Sequence, residues 1–190
     1  MNITIRTRRT NNDMEKKYNP HEYNNAVPCE VCGGLTFVDD YGNSGKCPHC
    51  GWRQCADNER TDKTLGISYP MLVPLSRARE QYKSGQKFKA MFEDFINGLM
   101  FYSEMLFWHH GLVHEVYTKM KSRDLEAYAS GDCIVVFCNK DMKQEYNHVN
   151  EFRDKANIDG RLLKDIWDEV VHPCFMYCGG EHDYDYPPED

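Results

Sequence analysis

The chain has 190 residues, 41% of them hydrophobic and 28% charged, with nine cysteines and a formal net charge of −7. That length suits a small metal module joined to a domain of about 100 residues, and no apolar run reaches membrane-spanning length. The opening MNITIRTRR lacks an apolar core and a small-residue cleavage site, and the cysteine number is odd, so a reduced, cytoplasmic chain is expected rather than a secreted disulfide framework. Charge is uneven: residues 91–190 carry nine Lys+Arg against twenty Asp+Glu. An acidic half of this kind does not track a phosphate backbone, but it suits a basic protein surface.

Residues 1–25 read as a basic and polar arm. Ile3 to Arg9 has the pattern of an edge strand, and Arg6, Arg8 and Arg9 form a solvated basic end. The stretch from Pro28 to Gln54 follows, PCEVCGGLTFVDDYGNSGKCPHCGWRQ, with two Cys-x-x-Cys pairs each followed by glycine: Cys29 and Cys32, then Cys47 and Cys50. Four thiolates delivered as two such pairs match the tetrahedral demand of Zn²⁺. The competing readings are two disulfides or four buried thiols, and the absence of an export signal favours metal. Gly33 and Gly51 suit the positive φ of each knuckle, Leu35 to Val38 reads as a strand, Asp39 to Gly45 as a turn and Trp52 as a lid. A closed four-sulfur set leaves no position for substrate, so the expected zinc is structural.

Cys55 is a bystander in a polar stretch that reaches Ser68. Ser76 has the chemistry of an N-cap for a helix from Arg77 to about Lys83, ended by Gly85. Arg77, Arg79, Lys83, Lys87 and Lys89 make the one dense basic run. This front part resembles the cysteine-rich CPCC domain family of small bacterial proteins, which carries a CPCCG knuckle, a short strand, a second Cys-x-x-Cys knuckle near a Trp, and a later SL-x-x-AR-x-x-Y helix. The matching residues are Cys29 to Gly33, Cys47 to Trp52 and Leu75 to Tyr82, with Val31 in place of the family's extra cysteine. The resemblance covers roughly residues 28–85 and implies a zinc-ribbon-like fold.

Phe88, Met91, Phe92, Phe95 and Ile96 recur at helical spacing, with Gly98 as the expected end of that helix. Met105 to Tyr117 reads as a hairpin about a glycine, Cys133 to Cys138 as a buried strand, Asn139 to Asp141 as a turn and Gln144 to Tyr146 as the next strand. A short helix is expected over Val149 to Ala156. A later one is expected with Asp159 as N-cap, Ile158 and Leu163 as a staple, Leu163, Ile166, Trp167 and Val170 as its buried stripe, and Pro173 as its stop. The run Asn150-Glu151-Phe152, then Ala156 to Trp167, resembles an uncharacterised small α+β module common in Firmicutes and their phages. That resemblance spans roughly residues 88–171 and implies a fold rather than an activity.

The expected fold class is α+β: a small N-terminal zinc ribbon followed by an antiparallel sheet of three or four strands covered by helices. The expected organisation is a basic arm over 1–25, a ribbon with a trailing helix over 26–85, an α+β domain over 86–172 and an acidic C-terminal tail over 173–190. His109, His110 and His114 are the tempting catalytic cluster. Strand alternation puts His109 and His114 on one side and His110 on the other, and imidazoles packing as aromatics is the plainer reading. Cys174, Cys178 and His182 form a possible second metal set. The chain shows no nucleotide loop, no defensible Ser-His-Asp order and no open metal site, so a non-enzymatic, zinc-stabilised binding protein of bacterial or phage origin is expected, acting on a protein partner through its acidic half, as an antidote or an inhibitor. The alternative is a nucleic-acid-binding regulator gripping phosphates through Arg53, Arg60, Arg77, Arg79 and Lys83.

Overall fold

The computed structural model describes residues 25–38, 46–54, 66 and 71–175. The expected strand from Ile3 to Arg9, the turn from Asp39 to Gly45, Cys55, Arg60, Cys178, His182 and the remainder of the acidic tail lie outside the described residues. In chain order the elements are β1 (Asn25–Pro28), β2 (Leu35–Val38), α1 (Leu75–Lys83), α2 (Phe92–Tyr102), β3 (Glu104–His109), β4 (Leu112–Met120), α3 (Leu125–Ala129), β5 (Cys133–Cys138), β6 (Lys143–Tyr146), α4 (Val149–Lys155), β7 (Asn157–Ile158), β8 (Arg161–Leu162), a 3₁₀ turn (Trp167–Glu169) and β9 (Val171–Phe175). The class is α+β. β1 and β2 form an antiparallel pair, and five strands form the main sheet in the order β6-β5-β4-β3-β9.

The sheet has five strands, not three or four, because Val171–Phe175 adds itself antiparallel to β3. The sequence alone reads Pro173 as a helix stop and 173–190 as an acidic tail, and does not show this strand. Proline is tolerated there because β9 is an edge strand.

Register decides which side chains meet. Met105, Phe107 and His109 share one face of β3, with His114 opposite Phe107, Val116 opposite Met105, and Phe137 of β5 opposite Val116. That face meets Phe95, Ile96 and Leu99 of α2 and Val149 and Phe152 of α4 in one hydrophobic cluster. Phe107 sits at its centre, with ring centroids 5.7 Å from Phe95, 5.9 Å from Phe137 and 5.9 Å from Trp167. Leu106, Trp108, Val136 and Cys174 are buried as well, on the other face. The run EMLFWH, apolar on both sides, therefore matches a strand covered twice.

Three helix boundaries differ from expectation. α1 begins at Leu75, after Pro74, so Ser76 lies inside the first turn and caps nothing. Proline presets the φ needed at a helix entrance, which outweighs the serine hydroxyl one residue later. α2 begins at Phe92, after the first two residues of the expected stripe, where the Asp94 carboxylate accepts a hydrogen bond from the Met91 N–H (2.7 Å) and pairs with Arg77. It runs through Gly98, whose added Cβ would stand 3.0 Å from both Leu72 Cδ2 and Met105 Cε, so this glycine permits close packing rather than ending the helix. The helix expected after Asp159 does not form. Asp159 takes φ +51° in the tight turn between β7 and β8, and Leu163, Ile166 and Trp167 are buried from a chain of turns. Trp167 Nε1 donates to the Ala90 carbonyl (2.9 Å), which ties this segment to the entrance of α2.

Candidate metal centre and the histidine cluster

Each Cys-x-x-Cys-Gly run folds into the same knuckle. Gly33 N–H donates to the Cys29 carbonyl (2.9 Å) and Cys29 N–H to the Gly34 carbonyl (2.8 Å). In the second knuckle Gly51 N–H donates to the Cys47 carbonyl (2.8 Å) and Cys47 N–H to the Trp52 carbonyl (2.8 Å). The return of the chain requires φ of +72° at Gly33 and +79° at Gly51, a conformation that disfavours a Cβ.

The two knuckles face each other and bring Cys29, Cys32, Cys47 and Cys50 together, all four sulfurs within 4.8 Å of one another and none in a disulfide. Cys29 Sγ lies 3.6 Å from Cys50 Sγ, and Cys32 Sγ lies 3.8 Å from Cys47 Sγ. A tetrahedron with metal–sulfur bonds of about 2.3 Å has edges of about 3.8 Å. The donor set and its spacing therefore fit one tetrathiolate-bound ion. Gly34 N–H also points at Cys32 Sγ (3.4 Å), supplying the outer hydrogen bonding that spreads sulfur charge.

Burial pushes the Cys29 and Cys50 thiols up, and at Cys50 the adjacent sulfurs add to the rise. Burial raises Cys47 too, but the N–H groups of His49 and Cys50 and the neighbouring thiols outweigh it and hold Cys47 below the usual thiol value. Four sulfurs this close cannot all be thiolates without a cation, and an ion among them would allow all four to ionise.

The module is anchored to the rest of the chain. Trp52 is fully buried, its ring edge-on to Phe88 at 5.3 Å and its Nε1 donating to Glu30 Oε2 (3.4 Å). Arg79 Nε of α1 donates to the Glu30 carbonyl (2.9 Å). Cys29, Cys47 and Trp52 belong to the same hydrophobic cluster as α2 and the sheet, through Leu72, Leu75 and Ala78. On the outer side of the β1–β2 pair, Leu35 and Phe37 stand 53% and 48% exposed.

The hairpin turn joins β3 to β4 through two residues, His110 and Gly111, with φ of +48° and +77°. Two positive φ values are the mark of the I′ turn that matches strand twist. Alternation is a property of extended backbone, and the left-handed turn breaks it. His110 therefore swings beside His109, ring centroids 4.1 Å apart, instead of facing the opposite side. Both Nε2 atoms approach Glu169 Oε2, at 3.5 Å from His109 and 3.4 Å from His110. Arg161 holds that carboxylate through two hydrogen bonds (3.1 and 2.5 Å) and keeps it ionised well below the usual range. Sequence reasoning missed Glu169 because it sits on the segment read as a helix.

His114 has a different environment. Its ring stacks on Phe107 (5.1 Å, 12° between planes), and the Asn139 amide lies 3.4 Å from Nδ1. Burial, reinforced by the neighbouring His109 and opposed by Asp159, lowers its pKa from 6.5 to about 4. It is a neutral aromatic of the core. Burial lowers His109 as well, with His110 adding to the effect and Glu169 opposing it.

Of the possible second set, Cys174 is buried on β9. Among the basic residues, Arg77 pairs with buried Asp94 and Arg79 bonds the Glu30 carbonyl, while Arg53 is half-buried beside the second knuckle and Lys83 is exposed. Among the described residues no helix is long and apolar enough to cross a membrane. Compared with known proteins, the chain matches no family model, no curated protein and no solved structure.

Proposed function

We propose that the chain is a non-enzymatic, cytoplasmic binding protein whose front module is a zinc ribbon, and that it works by docking on a protein partner. Zn²⁺ is the ion we assign to Cys29, Cys32, Cys47 and Cys50, because four thiolates at these separations satisfy its preferred geometry and close its coordination shell. A closed shell makes the ion a fastener. A service in bacterial or phage conflict, as antidote or inhibitor, is the role such a protein would fill.

The observation that carries the reading is the outer face of β1–β2. A hairpin stapled by metal beside it has no folding reason to turn Leu35 and Phe37 to water, and exposed apolar groups on a rigid support are a recognition surface. The acidic half of the chain then selects for a basic partner and speeds encounter.

The test uses tagged full-length chain expressed in its host, beside a Leu35→Asp, Phe37→Asp double variant. The expected result is a stoichiometric protein partner that survives high salt and is lost with the double variant. Recovery of nucleic acid instead, released as salt rises, would replace this reading with a phosphate-binding one. Elemental analysis of the reduced protein checks the metal, with one zinc per chain at the four sulfurs as the expected content.

A further inference from the structure

We infer that the β3–β4 turn carries a second, three-ligand divalent metal site, formed by His109, His110 and Glu169 and suited to Zn²⁺. It lies on the main sheet rather than in the cysteine module, and it stands whether or not the chain binds a protein.

Spacing is the first support. Zinc bonds to imidazole nitrogen and carboxylate oxygen are about 2.0–2.1 Å, so ligand atoms around a tetrahedral ion stand about 3.3–3.4 Å apart. Glu169 Oε2 lies 3.5 Å from His109 Nε2 and 3.4 Å from His110 Nε2, and all three ligand atoms fall within 4.8 Å of one another. One ion among them needs only small side-chain shifts.

The second support is an unpaid polar atom. His109 Nε2 is buried and has no hydrogen-bond partner, since the carboxylate at 3.5 Å is too far for a good bond. A buried polar group left in that state destabilises the fold. A metal ion between the nitrogen and Glu169 Oε2 would satisfy it, and hydrogen-bond length between the two would no longer be needed.

Backbone and neighbours agree. A non-glycine residue with φ of +48° is uncommon, and here it is what places His110 beside His109 instead of across the sheet. Arg161 fixes Glu169 through two hydrogen bonds, one to each carboxylate oxygen, as the partners of ligating carboxylates do. Its positive charge also works against a dication, so the affinity is far below that of four thiolates. Imidazole and carboxylate donors favour a late first-row ion over calcium or magnesium. With three protein ligands, and His110 exposed, the fourth position opens to solvent and can take water or a side chain from another molecule.

The experiment titrates Zn²⁺ into full-length chain already loaded at its cysteines, following histidine ring nitrogens by NMR and metal uptake by equilibrium dialysis. The expected result is one further ion that shifts the His109 and His110 Nε2 signals and leaves those of His114 and His148 in place. His110→Asn, which keeps a residue tolerant of positive φ in the turn, and Glu169→Gln should each weaken that uptake at least tenfold with an unchanged melting temperature in the absence of added metal. The site is refuted if the two imidazole signals do not move at submillimolar free Zn²⁺. Uptake that persists undiminished in both variants would equally place the extra ion elsewhere, for example at Cys174, Cys178 and His182.

Discussion

The cysteine module and the α+β sheet reach order by opposite routes. In the module, four side chains within 22 positions are set by two nearly identical knuckles, and apart from Trp52, Cys29 and Cys47 few of its side chains are deeply buried. In the sheet, no single residue is decisive, and a face assembled from β3, β4 and β5 closes against α2 and α4. A fold held by a few ligands fails abruptly when one is lost, whereas a fold held by distributed burial loses stability by increments.

The largest expected effect breaks the module alone. If the four sulfurs hold the proposed ion, Cys47→Ser or a strong chelator removes on the order of 10 kcal/mol of metal-binding free energy. Amide exchange should then be fast from Cys29 to Gln54 while the amides of Val135, Val136 and Phe137 stay protected. If the sheet opens with it, the shared cluster through Trp52, Leu72 and Phe88 couples the two regions into a single cooperative unit.

Phe107→Ala strikes the sheet at its centre and should cost about 3–5 kcal/mol in denaturant unfolding, without loss of metal. Asp94→Ala attacks the joint between regions. It removes the cap on Met91 N–H and leaves Arg77 unpaired, for an expected loss of about 2 kcal/mol, seen as a lower urea midpoint at constant slope.

The last effect is a pH dependence. Because His114 in the fold has a pKa near 4 against 6.5 in the unfolded chain, the unfolded chain takes up a proton that the fold refuses between those values. Stability contributed by the neutral imidazole is complete above pH 6.5 and is lost as pH falls toward 4. His114→Phe keeps the stack on Phe107, should flatten that acid limb in melting curves recorded from pH 7 to 4, and should add about 1 kcal/mol at neutral pH by removing a buried, unpartnered Nε2.

How much could be read from the chain itself follows the same division. The cysteine spacing is local, so two knuckles and the strand Leu35–Val38 are legible as they stand. So are the hairpin, the strand Cys133–Cys138 and the helix from Val149, whose apolar patterns match their backbone period. The segment after Asp159 misleads because apolar residues at 163, 166, 167 and 170 satisfy helical spacing equally well when short turns bury them. Glu169 joins His109 and His110 only through that segment's true path, so the three-residue cluster is invisible until the fold is known. Even the sidedness of His110 depends on two backbone angles, which residue alternation does not encode.

The strand order has a consequence for synthesis. β3 is apolar on both sides and is flanked by β4, which follows it directly, and by β9, which arrives more than sixty residues later. Until Val171–Phe175 emerges from the ribosome, a growing chain presents β3 as an unprotected, hydrophobic border able to pair with any neighbouring nascent strand. Chains cut before Val171 should therefore clump rather than persist as smaller folded versions of the protein.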